Sequence, residues 1–171
     1  MHSTPGHIKS PRVVEFTGLK TIPWTNGESL VATIISNSSA KSLADSLGQV
    51  IGAGSSASKV SIYEGTQPSG GPDASGSGAL IVEINLLSPP FGAAVDGNPG
   101  GTISVNGSPS GNALINATAG WFRVTNGDGE SVLDGSCGGI NSGADMELSP
   151  IMTVSGQSVS IQSWDIVMPE G

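Results

Sequence analysis

The chain has 171 residues, and its 6 basic and 14 acidic side chains leave a sparse formal charge of −8. An acidic surface repels phosphate backbones, which argues against nucleic acid as a partner. No apolar run approaches the roughly 20 residues that span a bilayer as a helix, so a membrane role is not expected. A single cysteine, Cys137, excludes an intramolecular disulfide.

Residues 1–28 read as an extended arm punctuated by Pro5, Pro11 and Pro23, with one strand-like run, Arg12-Val13-Val14-Glu15-Phe16-Thr17. The arm is mildly basic: Lys9, Arg12 and Lys20 against Glu15 and Glu28 give +1, while residues 29–171 set three cations against twelve carboxylates, −9. Its aromatic residues Phe16 and Trp24, with Arg12 and Lys20, are the candidate partner-binding residues. No continuous apolar segment of the secretory type is present at the N-terminus.

Residues 29–171 read as one domain. Ala40, Leu43, Ala44, Leu47 and Ile51 fall at spacings of three and four, which predicts a helix over 38–51, capped by Ser38 or Ser39 and ended by Gly52 and Gly54. The pattern then switches to period two. Val60 and Ile62 alternate with Ser61 and Tyr63, and Leu80, Val82, Ile84 and Leu86 line one face of the strongest strand, over 79–87. The Gly-rich stretches 65–78 and 96–111 are expected to be loops, the second with one short strand at Thr102–Val105. Residues 119–125 and 130–134 form a hairpin about Asn126-Gly127-Asp128-Gly129. Strands near 144–149 and over 157–168 follow. The sum is eight or nine strands and one helix, an all-β domain of β-sandwich, jelly-roll-like form. Its expected core is Leu80, Val82, Ile84, Trp121 or Phe122, Val124, Val159 and Ile161.

Few residues offer chemistry. The stretch Gly52–Lys59 lacks the Gly-Lys-Ser/Thr ending of a phosphate loop, and it follows a helix instead of preceding one. His2 and His7 lie in the arm, away from any serine or cysteine they could activate. Asp128 with Glu130, Asp145 with Glu147, and Asp165 could pair as glycosidase carboxylates, but no set of aromatics accompanies them. Asn126, Asp128 and Glu130 alternate like an abbreviated calcium loop, yet a tight turn uses the same residues. No catalytic residue, metal site or cofactor is expected, and the chain reads as a non-enzyme.

Three blocks carry a resemblance. They are Leu30–Asn37 leading into Ala40–Leu47; Val60–Pro68 followed by Leu80–Ser88 and Pro90-Phe-Gly-Ala-Ala94; and Ala117-Thr-Ala-Gly-Trp-Phe-Arg123 with Asp128-Gly129, Val132–Ser136 and Val167-Met-Pro169. In this order, over residues 30–169, the chain resembles a family of small structural proteins of tailed bacteriophages. The resemblance implies a virion component made in the bacterial host cytoplasm. It would be a capsid decoration, or cement, protein on the outer head surface. Its implied partners are the major capsid protein and other copies of itself, as a dimer or trimer. A tail-borne adhesin using the loops 65–78 and 96–111 is the alternative. The arm of residues 1–28 falls outside the resemblance.

Overall fold

Helix α1, Asn37–Ile51, begins where Ser36 adopts an extended conformation and its Oγ accepts a hydrogen bond from Ser39 N at 3.2 Å. The cap therefore lies two residues before the expected Ser38. Gly52 closes the helix as expected. The computed structural model describes residues 34–97 and 100–169. The arm of residues 1–28, with Arg12, Phe16, Lys20 and Trp24, lies outside the described residues.

The buried face of α1 is Ala40, Ala44 and Ile51, and Leu43 is 51% exposed, contrary to the expected stripe. The reason is a close approach. A Cβ on Gly101 would collide with the backbone of Ala40 and Lys41, so the helix rests almost directly on a glycine strand. Only small side chains fit between them, which turns Leu43 outward.

Ten strands follow among the described residues: β1 (Lys59–Glu64), β2 (Leu80–Asn85), β3 (Val95–Gly97), β4 (Gly100–Ser104), β5 (Ser110–Asn112), β6 (Ala117–Thr125), β7 (Ser131–Gly138), β8 (Met146–Ser149), β9 (Met152–Thr153) and β10 (Ser158–Met168). The protein is all-β with one short helix. Its strands join edge to edge in the order β2-β1-β6-β7-β8-β10-β4-β3, with β5 on β10 and β9 on β6. Only β7 and β8 run parallel. The sheet curls until the chain after β5 returns to β2, where Leu114 N donates to Ile81 O at 2.7 Å. No helix among the described residues is long and apolar enough to cross a membrane.

The curl encloses one core. Val60, Ile62, Val82, Ile84, Phe122, Val124, Val159 and Ile161 are buried in it, as expected from the alternation. Trp164 sits edge-on to Phe122 and Phe91, with centroids 5.2 and 4.8 Å away. Leu80 is only half-buried, and Ile81 takes its place. Pairing jumps from Ile62–Val82 to Tyr63–Leu80, so a bulge carries Ile81 inward. The stretch 96–111 is also more ordered than its composition implied. It contains β4, the end of β3 and most of β5, and Gly101 on β4 is what lets α1 approach.

Shortening Ile84 to Ala removes fully buried methyl groups beside β1. It should cost about 2–5 kcal/mol in a denaturant melt. A variant that unfolds with the parent would show that β2 is peripheral.

Candidate functional site

Several side chains that could do chemistry are engaged by other parts of the fold. Asn126 Oδ1 accepts from Asp128 N at 3.1 Å and Glu130 N at 2.9 Å, and its Nδ2 donates to Glu130 Oε2. Asp128 Oδ1 accepts from Ser55 N at 3.2 Å. The residues of the abbreviated calcium loop thus close the β6–β7 turn and dock it on the loop after α1. The phosphate-loop-like stretch has the other half of that joint. Gly54 has φ of +110°, and a Cβ there would strike Gly127 and Asp128. Ser56 N donates to Gly127 O at 3.3 Å. Two of the N–H groups that could face an anion, those of Ser55 and Ser56, are thus turned to the hairpin.

The remaining candidate carboxylates lie on β8, its approach and β10. Asp145 Oδ2 accepts from Ser136 N and Oγ at 2.8 and 2.7 Å, which ties the approach to β8 to β7. Glu147 is half-buried on β8, and Asp165 is exposed on β10 opposite Ser104. Among the described residues, no three His, Cys, Asp or Glu side chains converge as metal ligands. A cleft of about 370 Å³ lies between α1 and residues 88–93, lined by Asp45, Gln49, Pro90, Phe91 and Ile103. Asp45 Oδ1 accepts from Ala94 N at 2.7 Å there.

One polar centre was not anticipated from sequence. On the outer face of β6, Arg123 makes a two-bond pair with Asp134, Nε to Oδ1 at 2.7 Å and Nη2 to Oδ2 at 2.8 Å. Its Nη1 donates to Ala74 O and its Nη2 to Gly71 O, at 2.8 and 3.0 Å. Trp121 stacks on Tyr63 with centroids 4.5 Å apart and donates Nε1 to Ser77 O at 3.1 Å. The stretch 65–78 is therefore a strap laid over Trp121 and fastened at both side chains, with a single 3-10 turn at Gly71–Asp73. The bonds to Asp134 raise the Arg123 guanidinium above its ordinary value against the opposing effect of burial, so it stays charged. The β6–β7 register, which sets Arg123 opposite Asp134, is the sequence signal that could have revealed the pair.

A different region lacks charge altogether. Residues 97–122 and 148–164 contain no Asp, Glu, Lys, Arg or His. The fold brings parts of both together at one end of the sheet, through β5 on β10 and β9 on β6. Met152, Val154 and Leu114 are 71%, 59% and 57% exposed there. Comparison with protein-family models, with curated proteins and with solved structures finds no match to this chain.

Two outcomes test this geometry. Asp134→Ala leaves the part-buried guanidinium without its buried carboxylate and should cost about 3–5 kcal/mol, with new protease cleavage in the strap. A loss under about 1 kcal/mol would put the pair on a par with an exposed one. Half-buried Cys137 has its thiol pushed up to about 12, first by burial and then by Asp145. It should stay neutral and react slowly with a disulfide reagent at about pH 8. Because the folded value lies above the unfolded one, its contribution to stability is full below the unfolded value. That contribution is lost as pH rises toward about 12. Rapid labelling of the native protein would contradict this.

Proposed function

We propose that this protein is a structural component of a tailed-phage virion that binds the outer capsid surface as a decoration, or cement, protein and performs no catalysis. One observation carries the reading. Several charged side chains of the described fold (Asp45, Asp128, Asp134, Asp145 and Arg123) are engaged in internal bonds, while an uncharged end presents three exposed apolar side chains, as a binding surface does. The sequence resemblance over residues 30–169 supplies the virion setting. The partners are the major capsid protein and further copies of this chain, and the location is the capsid surface after synthesis in the host cytoplasm. An acidic body keeps a protein present at high local copy number soluble.

The tail-adhesin alternative assigns recognition to 65–78 and 96–111. The first is fastened to Arg123 and Trp121, and much of the second is built into β3, β4 and β5. Neither is a free recognition loop, which favours the head.

The test is co-sedimentation of the full-length protein with emptied capsids. Trp24→Ala, which removes an aromatic anchor of the arm, should lose much of the binding. Lys20→Ala should lose little, as an exposed charge contributes little affinity. Equal binding by the parent and Trp24→Ala would remove the arm from the interface. Failure of the parent to bind capsids, with only a few copies found per virion, would overturn the decoration role.

A further inference from the structure

We propose that the uncharged end of the sheet is the face through which two copies of this chain associate. The inference rests on the binding reading above and names the occupant of its apolar surface.

Two segments build the face. Ala117 pairs with Thr153 and Thr118 with Met152, and Gly156 N donates to Ala113 O at 2.7 Å. Thr153 Oγ1 is shared between Ile115 O and Ala117 O, Ser155 Oγ donates to Leu114 O, and Ser155 N donates to Asn116 Oδ1. Burial alternates along both segments. Ile115, Ala117 and Thr153 turn inward; Leu114, Asn116, Thr118, Met152 and Val154 turn outward and are exposed. Because these polar groups are already hydrogen-bonded to one another, covering the ribbon strands few of them.

Charge selects the occupant. Among the described residues, Lys41, Lys59 and Arg123 stand against eleven carboxylates, and Arg123 is paired internally with Asp134. Two such bodies repel wherever carboxylates face each other. A two-fold interface sets a patch against itself, so a charged patch meets its own sign and a neutral apolar one does not. The joined parts of 97–122 and 148–164 meet that condition, with two carboxylates at the rim: Gly111 lies against the Glu83 carbonyl, and Ala119 pairs with Glu64.

The experiment is sedimentation of the isolated full chain over a range of concentrations, at low and high salt. The expected result is a monomer–dimer equilibrium that salt preserves or strengthens, since salt screens repulsion between the acidic bodies. Met152→Glu and Val154→Glu should each weaken it by about tenfold or more while melting like the parent. Both sites are exposed, so neither change disturbs the core. A monomer at every concentration, variants that associate like the parent, or a dimer dissolved by salt would overturn the proposal. If the parent is monomeric and Met152→Glu abolishes capsid binding, the shell is the occupant. If instead residues 1–28 become newly protease-sensitive in that variant, the occupant is the chain's own arm. Either result overturns the proposal. Capsids are absent from the primary measurement, so its failure leaves the decoration role to be judged by co-sedimentation.

Discussion

A guanidinium part-buried on the outer face of a sheet brings five N–H groups that seek acceptors, and Arg123 makes four bonds, to one carboxylate and two loop carbonyls. The strap has almost no apolar residues of its own, so it cannot fold over the sheet by hydrophobic burial. It is drawn down by Arg123, lies on the Tyr63–Trp121 stack, and leaves Trp121 fully buried. The centre of the sheet is thereby covered on both faces, by Phe122 and the core on one side and by the strap on the other. The pair also fixes the β6–β7 register, since Arg123 and Asp134 are directly opposed. That hairpin in turn receives the loop after α1 at Gly54 and Gly127.

The same economy of charge shapes the surface. Arg123 with Asp134, Asp45, Asp128 and Asp145 each hold a strand, turn or loop in place, so several of the chain's few charges act as internal fasteners. The segments that need no such fastening close through backbone pairing and hydroxyl groups, at the end where β5 and β9 lie. Uncharged residues and exposed apolar side chains coincide there. On an acidic body, a neutral end is a face suited to contact with its own kind.

Strand periodicity was legible where one face is buried. β1, β2, β6, β7 and β10 fall where alternation and turn residues placed them, and the turn at Asn126–Gly129 is specified by its own chemistry. What the sequence concealed depends on distant partners. Leu43 fits the helical stripe, and only the contact between Gly101 and Ala40 shows why it is displaced. Residues 96–111 resemble a loop because their glycines, Gly101 that admits α1 among them, lower strand propensity. The two uncharged segments are plain in the sequence, but nothing local says that 113–118 and 151–157 lie side by side. Of the carboxylates with catalytic or metal-binding spacing, Asp128 and Asp145 proved to be joints, since their oxygens face the backbone N–H groups of Ser55 and Ser136.

Hydrogen exchange resolved along the full chain, at low and high protein concentration, tests the central claim most directly. Slower exchange at high concentration confined to residues 113–118 and 151–157, with the strap unchanged, is the expected result. Slowing on the exposed face of α1 or on the strap, or no change anywhere, would contradict it.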